Sequence, residues 1–225
     1  MAVKPILFNT QMVEAIIDGK KTQTRRLVKE IPLCDPYFQV CDGKAYAADE
    51  NGEWHTAECF CHIHPGDILY VRETYCVGRI EYGEEPDGRN VPYIGQCTGD
   101  DRFIPKEWAL RNDIGIEDVI WKPSIHMPKH AARIFLRVKN VRAERLQDCG
   151  NGWCLDIENE GVKTTQDPIL YTNDEKYHDA LRAEMKKLWN STIKPADILK
   201  YGWDANPWVW VIEFEKCEMH EGWCV

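Results

Sequence analysis

The chain has 225 residues, 44% of them hydrophobic, with 28 basic against 37 acidic residues and a formal charge of −9, which is enough chain to bury a core as one domain, residues 1–225. No apolar run approaches the roughly 18 residues of a membrane span, and the opening MAVKPILFNTQ lacks the charged head and apolar stretch of a secretory signal, so a soluble cytoplasmic protein with its cysteines kept as thiols is expected. The acidic total argues against a histone-like, charge-driven nucleic-acid binder, while a local basic strip on an acidic body can still hold a phosphate.

In chain order, KPILF is a short strand candidate closed by Asn9. Thr10 is placed to cap a helix that runs to Asp18, with Met12, Val13, Ile16 and Ile17 on one buried face. Gly19 stops that helix, since glycine suits the left-handed position after a helix end. Lys20 to Val28 follows as an extended segment, within DGKKTQTRRLVK, which holds five of the 28 basic residues. Residues 29–64 read as an insertion in which CDGK and ENGEW supply hairpin turns. Pro65, Gly66 and Asp67 turn the chain into the strand ILYVR. A second insertion, from about 78 to 120, is rich in Gly, Pro and charge and shows little periodicity.

ARIFLRVKNVRAERL is the longest β-like run, with Ile134, Leu136 and Val138 on one face and Arg133, Phe135 and Arg137 on the other. Cys154 to Gly161 fits one or two helical turns ended by glycine. Asp174 to Trp189 is the clearest helix, with an apolar stripe of Tyr177, Leu181, Met185 and Leu188 and Thr172 or Asn173 as cap. NPWVWVIEFEKC reads as a closing strand that is apolar on both faces and therefore covered on both. The chain has no internal repeat. These elements predict an α+β fold: a mixed sheet of about five or six strands with two or three helices, in which a curled sheet or small barrel is expected.

The order of motifs IIDGKKTQTRR, PGDILYVRETY, RLQD, ENEGV, LWNSTI and NPWVWVIEF resembles the ASCH domain of the PUA-like superfamily. WKPSIHMPKHAARIFLRV, from Trp121 to Val138, is similar to a signature of its phage and prophage type. The resemblance covers most of the chain outside residues 29–61, 78–119 and the HEGWC tail. It implies a PUA-like β-barrel with helices across its openings and a cleft for RNA, a nucleotide or a modified nucleoside. Small members of the family hydrolyse N4-acetylcytidine with a lysine, a threonine and a glutamate. The resemblance puts these on Lys21, Thr24 and Glu160. Other members cut RNA or only bind it, so ribonuclease activity is one alternative, and a non-catalytic phage module acting on a host protein in the host cytoplasm is another.

Strict strand alternation would set Lys21 and Thr24 on opposite faces, so a turn or bulge after Gly19 is needed for both to meet a substrate. A lysine whose pKa is lowered by burial, or by neighbouring Lys20, Arg25 and Arg26, can take the Thr24 proton, with Glu160 as acid or base toward the leaving amine. The bland alternative is that Lys21 and Arg25 hold phosphate while Thr24 caps an amide. Ligand contacts are expected from Lys20, Arg25, Arg26 and Arg72, and from Ser124, His126 and Arg133 in SIHMPKHAAR, which follows Pro123 and contains Pro128. His126 is the base candidate for the ribonuclease alternative. Trp121, Trp208 and Trp210 can stack on a base, but for the last two a core role is favoured. No cofactor is implied. Cys34, Cys41, Cys59 and Cys61, beside His62 and His64, are candidate zinc ligands, although structural zinc usually takes Cys-x2–4-Cys pairs and the spacings here are x6 and x1.

Overall fold

The computed structural model describes residues 1–28, 38–41, 44–48, 52–56, 61–84, 89–95, 101–117, 119–150, 155–163 and 175–218. In chain order its strands and helices are β1 (Val3–Leu7), α1 (Thr10–Ile17), β2 (Gln23–Leu27), β3 (Phe38–Cys41), β4 (Lys44–Ala48) and β5 (Trp54–Thr56). Then come β6 (Ile68–Arg72), β7 (Tyr75–Glu84), β8 (Asn90–Gly95), β9 (Arg102–Pro105) and α2 (Lys106–Arg111). The chain finishes with β10 (Phe135–Arg145), α3 (Leu155–Asn159), α4 (Glu175–Ser191), α5 (Ile198–Tyr201) and β11 (Trp208–Cys217). It is a mixed α+β fold of two units: Met1–Asp18, Ile68–Leu136 and Lys216–Val225 form one, Gly19–Asp67 and Arg137–Glu215 the other. The strand orders are open, and no sheet closes into a barrel among the described residues.

In the first unit β1 lies parallel to β6, in register from Val3↔Ile68 to Leu7↔Arg72. Ile68, Leu69 and Val71 are completely buried, so β6 is covered on both faces, as its unbroken apolar run requires. The α1 cap is Asn9, one residue before the expected Thr10: its side-chain oxygen accepts the Met12 N–H at 2.8 Å, satisfying a donor that the helix leaves open. Val13, Ala15 and Ile16 form the buried stripe. The 78–120 segment, expected to be irregular, contains regular structure. β7 pairs with β8 on one side and β9 on the other, and Cys76, Ile104, Ala109 and Ile114 form a small core beneath them.

In the second unit β2 is antiparallel to β11, from Val209↔Leu27 to Glu213↔Gln23. The hairpins expected at CDGK and ENGEW are present as β3-β4 and β4-β5. α4 buries Tyr177, Leu181, Met185 and Trp189, an unbroken i, i+4 row, against Leu146, Ile157, Val209 and Val211. Leu188, expected in that row, is only partly buried. The cap expected at Thr172 or Asn173 lies outside the described residues. Trp210 is buried, while Trp208 is half-buried beneath the Arg145 guanidinium, 4.5 Å from its ring centre. No described helix is long and apolar enough to cross a membrane.

Candidate functional site

The basic strip enters the second unit directly after Gly19, whose φ of +71° is the left-handed value that ends a helix with least strain at glycine. Lys21 then forms an isolated antiparallel bridge with Glu160, and the Thr22 N–H donates to the Asn159 carbonyl at 2.9 Å. From Gln23 onward the chain pairs instead with β11, Thr24 lying opposite Ile212. This change of partner breaks the simple alternation. Lys21, Gln23, Thr24 and Arg25 are all buried, while Thr22 is exposed.

Glu160 is brought to the strip by α3 and the turn that follows it. The Gly161 N–H donates to the Glu158 carbonyl at 2.8 Å, and Gly161 has φ +76°, a conformation that strains other residues. Gln23 Nε2 donates to the Asp156 carbonyl at 2.8 Å, holding α3 against β2. Lys21 Nζ donates to Glu160 twice, to Oε2 and to the main-chain oxygen, each at 2.8 Å. Arg25 Nη1 donates to the other carboxylate oxygen at 2.9 Å, and its Nη2 to Glu144 Oε1 of β10 at 2.6 Å. Asp156 stands 3.7 Å from the same Nη2. Arg142 bridges Glu144, at 3.1 Å, and Glu213 at the outer edge of the cluster.

The Lys21 and Glu160 side chains are only 2% and 5% exposed, so their charges have little water to screen them and must satisfy each other. Burial holds the Lys21 amine below its ordinary pKa of 10.5; the Glu160 carboxylate opposes this, and the neighbouring Arg26 and Arg25 charges add to it. Among the described residues Arg25 Nε is buried without a hydrogen-bond partner, a rare condition for a guanidinium donor. Burial also pushes the Cys149 thiol up to about 12, with the Arg25 charge opposing and the carboxylates of Glu144, Glu160 and Asp156 adding. A thiol of that pKa is about one part in 10⁴ thiolate at pH 8 and is a poor nucleophile. Cys149 is therefore expected to resist iodoacetamide at pH 8 in the native protein and to react once urea unfolds the chain; peptide mass spectrometry reads the site, and native labelling would contradict this placement.

Of the other expected ligand contacts, Lys20 is exposed and Arg26 half-buried, both in the second unit. Arg72, Ser124, His126 and Arg133 belong to the first. There Arg72 Nη2 donates to the Ile125 carbonyl, and the His126 carbonyl accepts the Tyr75 hydroxyl at 3.1 Å. Ser124–His126 and Lys129–Ala131 form two 3₁₀ turns, each preceded by a proline, with Met127 buried between them. Arg133 is tied at 2.9 Å by each of two bonds to Glu73 and at 2.7 Å to Glu107. Burial raises the Glu73 carboxyl above the usual carboxylate range against the pull of Arg133.

Nothing in the sequence points to Glu144, Asp156 and Glu107, because an acidic residue on a strand or helix carries no local mark of which cation it will meet, while Glu73 of VRET, a lesser candidate for ligand contact beside Arg72, is bonded to Arg133. Cys34 and Cys59 lie outside the described residues, as do the side-chain contacts of Cys41; Cys61 is buried. No group of three metal-ligating side chains occurs among the described residues. The chain matches no protein-family model, no curated protein and no solved structure.

Proposed function

We propose that Lys21, Thr24, Arg25 and Glu160 form the reacting end of a PUA-like cleft of the ASCH type, which takes a nucleotide or modified nucleoside and hydrolyses an N4-acylcytidine-type amide. The observation that carries this reading is the pair of 2.8 Å bonds from Lys21 Nζ to Glu160. They hold a buried amine of lowered pKa against a carboxylate, three residues before a buried threonine. The Arg25 Nε–H, without a partner among the described residues, adds a buried donor suited to a ligand oxygen.

In this reading Lys21 accepts the Thr24 hydroxyl proton as the oxygen attacks the acyl carbon. The C–N bond breaks, and the cytosine N4 departs with a proton relayed through Lys21 and Glu160. Water, deprotonated by Lys21, then releases the acid from Thr24, so one water is consumed for each amide cleaved.

The test is acetate release from N4-acetylcytidine by the wild-type chain and by Lys21→Ala and Thr24→Ala. Release that disappears in both variants is the expected result. Release that continues in either variant at the wild-type rate, or RNA cleavage that is lost only in His126→Ala, would overturn it.

A further inference from the structure

The 78–120 segment builds a groove that the proposed reaction does not use. Its volume is about 530 Å³, and its lining includes Arg79 of β7, Arg102, Phe103 and Ile104 of β9, Trp108 of α2, and Arg133. Small-molecule sites typically span about 300–1,000 Å³ and combine an apolar lining with a few placed polar groups. Two large aromatic surfaces are left open here, with Phe103 36% and Trp108 38% exposed. Phe103 packs against Tyr75 in a tilted pair with ring centres 5.5 Å apart and against His130 in a T-shaped pair at 5.3 Å.

The three guanidinium groups differ in their commitments. Arg79 Nε is bonded to Glu81 at 2.6 Å, and Arg133 is committed to Glu73 and Glu107. Arg102 makes no hydrogen bond or ion pair among the described residues. Among the described residues its planar fork meets no carboxylate, and it lines the same groove as Phe103 and Trp108 on a chain whose net charge is −9. A planar fork suits an oxyanion bound through two oxygens, and open aromatic faces suit a flat heterocycle. The occupant that satisfies both features within this volume is an aromatic base joined to a phosphate.

We propose that this groove binds a nucleotide, with its base against Phe103 and Trp108 and its phosphate on Arg102. The site is independent of the reaction proposed for Lys21, and either can fail alone.

Calorimetric titration of the full chain with AMP, adenosine, inorganic phosphate and a short oligoadenylate tests it. AMP is expected to bind at one groove site more tightly than adenosine or phosphate. Arg102→Ala, at an exposed position with no side-chain partner among the described residues, is expected to weaken AMP about tenfold or more, and Trp108→Ala to weaken it comparably through lost stacking.

Saturation by AMP identifies a free nucleotide as the ligand. Oligoadenylate binding that depends on Arg102, without AMP binding, identifies a nucleotide within an RNA strand. The Arg102-dependent binding is expected to persist in Lys21→Ala, which separates the groove from the Lys21 cluster. The proposal is overturned if neither ligand binds, if phosphate binds as tightly as AMP, or if Arg102→Ala and Trp108→Ala both retain wild-type affinity.

Discussion

Glu160→Ala is expected to lower the unfolding free energy by about 3–5 kcal/mol near neutral pH, the usual consequence of removing one partner from a buried ion pair. Two Lys21 Nζ bonds run to this residue, and one of them, to the carbonyl, survives the substitution. Arg25 keeps Glu144, so the cost falls chiefly on Lys21. Its amine can escape part of that cost by giving up its proton, which ties the loss to pH.

With the carboxylate gone, the folded-state pKa of Lys21 falls further below the unfolded value near 10.5, because the main opposing influence is removed. The folded variant then binds fewer protons than the unfolded chain across a wider window. Its stability therefore rises with pH within that window. Urea unfolding of wild type and variant at about pH 7 and about pH 9.5 checks both parts: the gap should be large at the lower pH and narrower at the higher. A gap under about 1 kcal/mol at pH 7 would show that the pair is not what holds the strip to the turn. Adding Lys21→Met to Glu160→Ala is expected to recover stability, since the stranded charge is removed.

The hydrolytic reading predicts a second large effect. Lys21→Ala should lower kcat/KM for N4-acetylcytidine by about 10²–10⁴-fold, the range for loss of a general base. Lys21→Arg should do no better, since a guanidinium stays protonated at any working pH. In the wild-type protein only the neutral amine can accept the Thr24 proton. Below the Lys21 pKa the rate should therefore climb with pH, by up to about tenfold per unit, and level off before the ordinary lysine value of 10.5, because burial lowers that pKa. A rate that stays flat from about pH 6 to pH 10, with Lys21→Ala equally active, would remove Lys21 from the chemistry.

Much of the local structure was legible from periodicity. The apolar run ILYVR became β6, the long alternating run became β10, and the 3.6-residue stripe became α4 with its face displaced only from Leu188 to Trp189. Gly19 and Gly161, the glycines that follow the two helical stretches, both take positive φ, as a helix stop requires. The region from β7 to α2 was not legible, because its apolar contacts come from Cys76, Ile104, Ala109 and Ile114, which are scattered along the chain. The α1 cap moved by one residue because Asn9 and Thr10 are both good capping types, and only the backbone geometry chooses between them.

At the site, the basic strip and the glycine that starts it can be read directly from the residues, and the resemblance to the ASCH domain singles out the three residues to compare. The sequence by itself placed Lys21 and Thr24 on one extended segment, where alternation alone set them on opposite faces. The tertiary structure decided which partner each stretch takes: Lys21 bridges Glu160, 139 residues away in sequence, while Gln23 to Leu27 pair with β11. It also decided that Arg25 is gripped by Glu160 and Glu144 and is thereby committed to the interior. The physical reason is that side-chain period is a property of a few neighbouring residues, whereas the partner of a buried charge depends on which distant segments packing brings beside it, where an uncompensated charge is costly.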